Sequence, residues 1–218
     1  MEKKEIVVPG DLLGVGLNGG TNTYQKGDGV YAALLGVKHT VGKRVYVVPL
    51  GGRYIPAPGD VVIGTVIDMT GSSWIVDINA PHPALLSAKE VPWRVDFGDL
   101  ARYLGIGDSA LVSVLRVDEL KSIQVTMRGE ERGRKLVGGQ LIDAQPSRVP
   151  RIIGKEGSMI SLITKLTHCR VLVGQNGRLW VDGEEQGIVK VRETIKKIEA
   201  EAHTSGLTDR IRAFLEAS

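Results

Sequence analysis

The stretch Ser147-Arg148-Val149-Pro150-Arg151-Ile152-Ile153-Gly154-Lys155-Glu156-Gly157-Ser158 sets two glycines around two charged residues, just ahead of an apolar helical pattern. Such a turn can do one piece of chemistry without any reactive group. Backbone N–H groups at a glycine turn feeding a helix N-terminus meet anionic oxygens, because unpaired donors and the helix dipole both favour negative charge. Glycines at both ends let a sugar-phosphate chain come close where a β-carbon would collide. Lys155 adds a cation, Arg151 lies one turn upstream, and Arg148 precedes it. Glu156, by contrast, puts an acid where phosphate would pass. The Walker arrangement of glycine, four residues and Gly-Lys-Ser/Thr is absent. Taken alone, the four residues describe an ordinary corner between two helices as well as an anion clamp.

Elsewhere the reactive residue types do not assemble. His39, His82, His168 and His203 fall in different segments without metal-ligand spacing. His168 and Cys169 read as packing residues at the start of a strand. Asp96 and Asp99, on either side of Gly98, read as a turn and a helix cap, not as a metal carboxylate pair. Gly14-Val15-Gly16-Leu17-Asn18-Gly19 matches the dinucleotide pattern, but that motif requires a strand before it, a helix after it and an acid about twenty residues on. Thr21-Asn22-Thr23-Tyr24-Gln25-Lys26-Gly27 is a poor helix. We therefore expect no catalytic residue, no metal and no cofactor.

The elements that must position the turn follow from composition and period. The chain has 218 residues, 28 glycines and 5% aromatics, which suits small β-rich domains with tight turns. Its net charge is +3, yet residues 128–155 hold seven basic side chains (Arg128, Arg132, Arg134, Lys135, Arg148, Arg151, Lys155) against three acidic ones (Glu130, Glu131, Asp143). The segment thus carries more excess charge than the whole chain, which permits a polyanionic partner or marks a solvated linker. One cysteine excludes an internal disulfide and a multi-cysteine zinc site. Met1-Glu2-Lys3-Lys4-Glu5 lacks a signal peptide's apolar core, and no run approaches membrane-spanning length, so a soluble, cytoplasmic setting is expected.

Three domains are expected. Residues 1–56 show short apolar runs between turns, a small all-β domain. Residues 57–130 open at Ala57-Pro58-Gly59-Asp60, which echoes Val8-Pro9-Gly10-Asp11. Strands at 61–68, 74–78, 109–117 and 122–127, with a short helical turn near 99–104, give the pattern of a small closed barrel. In the third of these, Ala110, Val112, Val114 and Arg116 share one face. After a basic linker at 128–135, residues 138–218 change period to the order β-α-α-β-β-α. Ser158 can cap the second helix, Gly174-Gln175-Asn176-Gly177 signals a hairpin, and Ile188, Val191, Ile195 and Ile198 form a helical stripe. Ser205-Gly206 should break that helix before a short terminal one.

In that setting the pattern Ile-Ile-Gly-x-x-Gly-x-x-Ile resembles the signature of a KH domain, whose glycine loop clamps single-stranded backbone. The middle block resembles the OB-fold RNA-binding module named for ribosomal protein S-one, through Pro58-Gly59-Asp60, Gly64-Thr65-Val66, Trp74-Ile75-Val76-Asp77 and Gly107-Asp108. It departs at Leu85-Leu86-Ser87, where that family carries an aromatic or histidine. On such folds, aromatic stacking plus a positive groove holds single strands. Trp74 is the best stacking candidate, and would serve equally as a core residue. His82, between prolines, reads first as a loop residue. Arg116, Lys121 and Arg128 are candidate phosphate contacts.

The whole order resembles the RNA-binding cap subunits of the archaeal exosome, the ribosomal RNA-processing protein four family. The resemblance implies a non-catalytic subunit that binds single-stranded RNA. It implies three copies capping a ring of subunits related to ribonuclease PH, anchored by the N-terminal domain. The S-one module would stand at the RNA entrance, and Gly174, Asn176 and Gly177 would form a structural turn between domains. A stand-alone RNA-binding protein or chaperone linked to translation, and an enzyme, remain as alternatives.

Overall fold

The computed structural model describes residues 5–96, 98–129, 133–202, 204 and 206–217. Glu130, Glu131, Arg132, His203 and Ser205, which entered the sequence reading, lie outside them. The chain divides into two compact units between Gly52 and Arg53, earlier than the expected boundary at 56/57. The reason is Tyr54, which is buried in the barrel core and donates its hydroxyl to Asp60 at 2.7 Å.

The first unit holds β1 (Ile6–Val7), β2 (Leu12–Val15), β3 (Asn18–Gly19), β4 (Thr23–Lys26), β5 (Gly29–Ala32), β6 (Gly36–Val41) and β7 (Arg44–Pro49) in two small sheets, β1-β6-β7-β3 and β2-β5-β4. Alternation turns Val7, Leu13, Val30, Ala32, Val45 and Val47 into one core. The glycine pattern at 14–19 lies across β2 and β3 and opens no helix.

The second unit begins with a barrel of β8 (Val61–Thr70), β9 (Ser73–Asp77), β10 (Ala84–Ser87), the one-turn helix α1 (Leu100–Tyr103), β11 (Ser109–Val117), β12 (Ile123–Thr126) and β13 (Arg134–Leu136). It closes as β8-β9-β10-β12-β11 and back to β8, with β10 and β12 parallel. Closure removes the free sheet edges and surrounds Trp74, Val76, Leu86, Val112 and Val125 with apolar side chains. The Pro-Gly-Asp echo proves to be one turn used twice. Gly10 and Gly59 sit at φ of 94° and 91°, and Asp11 and Asp60 accept the N–H of Val8 and Ala57 at 2.8 and 3.0 Å. Gly105-Ile106-Gly107-Asp108 repeats it, with Asp108 accepting from Gly105 at 2.7 Å.

Two expectations change in the barrel. β11 has the expected limits, but a bulge between Val114 and Arg116 shifts its register, so Arg116 leaves the Ala110–Val112–Val114 face and is exposed, donating to Gln124 at 2.9 Å. The linker also contains a strand: β13 pairs with β11 through Ser109↔Leu136, so the barrel extends beyond residue 130.

The remainder runs β14 (Gln140–Asp143), α2 (Val149–Ile153), α3 (Ser158–Thr167), β15 (Arg170–Val173), β16 (Arg178–Asp182), α4 (Glu185–Glu201) and α5 (Leu207–Ala217). The antiparallel sheet is ordered β14-β16-β15. Its Leu179 and Val181 meet Ile152, Ile163, Val191 and Ile195 of the helices in one core. Ser158 does not cap α3: it is the first helical residue, and Gly157, in left-handed conformation, holds the cap position without a side chain to bond. The sheet's other side, through Leu172 and Trp180, packs on Ile63, Leu111 and Leu136 of the barrel.

Candidate nucleic-acid interface

The domain contains two four-residue turns bounded by glycine, one joining α2 to α3 and one joining β15 to β16. In the first, α2 buries Val149 and Ile152 and stops at Gly154, whose φ of 75° and ψ of 174° lie outside helical space. Lys155, Glu156 (φ 53°) and Gly157 (φ 76°) then turn the chain into α3. A β-carbon on Gly154 would meet the backbone nitrogen of Met159 at 2.8 Å, whereas one on Gly157 would find its nearest neighbour, Ile160, at 3.9 Å. Glycine at 154 is thus required for packing, and at 157 the space is open. Arg151, Lys155 and Glu156 are exposed and have no hydrogen-bond or ion-pair partner among the described residues. Arg148 is half-buried, and its Nε has no hydrogen-bond partner among the described residues. Three basic side chains, Arg148, Arg151 and Lys155, thus precede α3 in sequence, and of its first-turn N–H groups that of Ser158 donates to the carbonyl of Lys155.

The second turn, Gly174-Gln175-Asn176-Gly177, faces the barrel. Asn176 is fully buried and donates to the carbonyls of Ile63 and Ile78, both at 2.8 Å, while its Oδ1 accepts from the N–H of Ile63 at 3.3 Å. Gln175 exchanges bonds with Val61, its N–H donating at 2.8 Å and its Oε1 accepting at 2.5 Å. Arg178 donates to the carbonyl and carboxylate of Asp77 at 2.7 and 2.5 Å. A β-carbon on Gly177 would lie 2.3 Å from the carbonyl oxygen of Ala144. The side-chain amide and the carbonyl of Asn176 are all bonded within the protein, so this side chain offers a ligand nothing.

On the barrel, the stacking role expected of Trp74 is corrected. Its side chain is 0% exposed and its Nε1 donates to the carbonyl of Leu104 at 2.8 Å, because alternation along β9 aims it inward with Val76. A base cannot reach it. His82 is exposed between Pro81 and Pro83, and Lys121 (φ 63°) is exposed in the β11–β12 turn, near the outward Arg116 in sequence. Arg128 is exposed but its Nε donates to the carbonyl of Val91 at 2.7 Å. An aromatic pair escaped the sequence reading: Trp93 and Tyr103 stack at 5.8 Å and 12°. Their separation in sequence hid them, although Trp93-Arg94 was a visible aromatic–cation neighbour. Lys135 binds Asp108 at 2.5 Å and holds its carboxyl below the ordinary carboxylate range, while burial, reinforced by Asp60, pushes the Tyr54 hydroxyl far up. No cluster of three or more His, Cys, Asp or Glu able to hold a metal occurs among the described residues, and none of their helices is long and apolar enough to cross a membrane.

A closed OB barrel with a β-α-α-β-β-α domain docked on its wall, the glycine turn of that domain left open, defines a protein built from an S1 domain and a KH domain. Family models agree, matching an S1 domain of RRP4 at residues 53–97 and a KH domain at 139–187. The exosome complex component Rrp4 of Methanosarcina mazei is 45% identical over 98% of this chain and 82% of its own length. That of Pyrococcus abyssi is 43% identical over 99% and 83%, and that of Methanothermus fervidus 42% identical over 99% and 96%. A solved structure described as that of an exosome complex RNA-binding protein superposes with a TM-score of 0.68 at 35% identity, over 76% of this chain and 97% of the other. The chain belongs to the Rrp4 family of exosome complex components.

Proposed function

We propose that this protein is a non-catalytic RNA-binding subunit of an archaeal exosome, a complex that degrades RNA from its 3′ end. The observation that carries the reading is near-full-length similarity to Rrp4 components, which covers all three parts of the chain. In this reading three copies cap a phosphorolytic ring of subunits related to ribonuclease PH, in the cytoplasm. The N-terminal unit anchors the cap. Its exposed Ile6, Val8, Leu12, Val15, Leu35 and Val41 supply apolar surface of the kind a protein contact buries. The barrel stands at the RNA entrance, where Arg116, Lys121, Arg128 and His82 meet the strand, and the 154–157 corner with Arg148 and Arg151 adds a second contact.

Several weak, sequence-tolerant sites held together raise the local concentration of substrate and so feed the ring. Phosphate contacts dominate such binding, each one steepening the fall of log affinity with log salt by about 0.7 for a single strand. Native mass measurement after pull-down should find the chain in a stable assembly with ring subunits, and RNA affinity should drop steeply with salt. A free monomer with salt-insensitive RNA binding would overturn the proposal, as would nuclease activity that survives stringent purification.

A further inference from the structure

A cleft of about 590 Å³ in the second unit lies between β13 of the barrel and β15 of the KH domain. Its floor is apolar, from Leu136, Val171, Leu172 and Trp180, and its rim carries Arg134 and Arg170. Its volume falls in the roughly 300–1,000 Å³ range of sites that hold one small organic group. The walls are fixed. Leu136 and Trp180 share a buried cluster with Ile63 and Leu111, and the indole N–H of Trp180 donates at 2.8 Å to the carbonyl of Gly138 in the link between β13 and β14.

The charges decide what fits. Lys135 is matched by Asp108 and Arg170 by Asp182. Arg134 is exposed, with no partner among the described residues, and no acidic side chain lines the cleft. Among the described residues, one cation on the rim is left unmatched. Arg170 is also preset for a second kind of contact. Its guanidinium lies 5.7 Å over the Trp180 ring and is held there by Asp182, while its side chain stays 76% exposed. Trp180 itself, 7% exposed, is unavailable to a base, but the Arg170 guanidinium beside it is open to solvent. Guanidinium planes are established stacking surfaces for unpaired bases.

We propose that this cleft is a composite subsite for one nucleotide of single-stranded RNA, its base laid on Arg170 and its phosphate drawn to Arg134. The inference rests on the RNA-binding reading above and deepens it. The barrel would complete the KH side of the surface through β13, so that the two domains bind one strand jointly. Arg134 lies in a segment that otherwise reads as a linker, which is why the site is invisible without the β13–β11 pairing.

The test uses the full chain and a 5′-labelled oligoadenylate, followed by fluorescence anisotropy at several salt concentrations. Arg134→Ala should weaken binding about fivefold near 0.1 M salt and make the salt slope shallower by about 0.7. Thr164→Trp, placed at an exposed helix position on the cleft wall, should weaken binding by obstruction, with no loss of cation. Arg212→Ala, an exposed cation on α5, controls for general charge and should change affinity less than twofold. If both cleft variants bind like the wild type, the cleft proposal fails while the RNA-binding reading stands. Unchanged RNA binding with weakened assembly onto ring subunits would make the cleft a protein contact, again overturning it. Wild-type chain that does not bind the oligonucleotide would remove both.

Discussion

The KH domain contains two turns of almost the same composition, Gly154-Lys155-Glu156-Gly157 and Gly174-Gln175-Asn176-Gly177, and they have opposite fates. Each is four residues long, begins and ends with glycine, and carries polar residues between. The first ends in open space, with its charged side chains solvent-facing and unpaired among the described residues. The second is pressed against β8 and bonded on both sides of Ile63. What separates them is what the chain brings to their outer face. Helices α2 and α3 meet at a corner whose charged side chains face solvent, whereas the β15–β16 hairpin meets the barrel. Glycine in a turn therefore marks close approach without saying whether the neighbour is a ligand or the protein's own backbone.

The strongest way to break this comparison is to remove the side chain that commits the second turn. Asn176→Ala strands the carbonyls of Ile63 and Ile78 and the N–H of Ile63 inside the docked surface. A buried group left unpaired costs about 1–3 kcal/mol, so the loss should reach at least about 3 kcal/mol. Urea unfolding of the intact chain measures it, and a loss below about 1 kcal/mol would show that the bonds do not hold the domains together. Gly177→Ala ranks next. Its φ of 81° and the carbonyl oxygen of Ala144 at 2.3 Å from the new β-carbon make the strain about 2–3 kcal/mol. A shift in thermal midpoint as small as that of an exposed Ala substitution would mean that the turn can relax away from β14.

The sequence made the open turn legible and half concealed the closed one, for physical reasons. The 154–157 motif is local: its glycines, the preceding isoleucines and the apolar pattern of α3 all fall within one short stretch, and period-3.6 and period-2 signals around it order the KH elements. The β11 limits were equally readable, because alternation and a Gly-Asp turn bound them. Register was harder. Arg116 changed face because of a bulge set by how β12 pairs, and alternation within one strand cannot contain that information. Trp74 was ambiguous because an aromatic on a strand suits either face until closure decides which is inside. The anchoring of Asn176 joins residues 113 positions apart, a separation that no local pattern crosses. Arg134 reads as part of a linker because β13 acquires its identity only from β11.

The open turn can be tested by a pair of substitutions that its own geometry makes unequal. Replacing both glycines with aspartate should weaken RNA binding modestly while assembly persists, but the two positions report different things. Gly154→Asp combines a φ of 75° with a β-carbon 2.8 Å from the Met159 nitrogen, and should cost about 2 kcal/mol of stability before any ligand is present. Gly157→Asp enters open space in a left-handed conformation that aspartate tolerates, so its stability cost should be about 1 kcal/mol or less. It is the cleaner probe. A new carboxylate about 4 Å from a phosphate repels it by about 1 kcal/mol in water, which predicts a roughly fivefold loss of RNA affinity in a complex that still assembles. Anisotropy on the assembled complex decides the matter. Unchanged affinity would make the turn a mere corner, as silent toward RNA as its buried counterpart. Complete loss would mean that the 154–157 corner, and not the barrel, carries most of the binding.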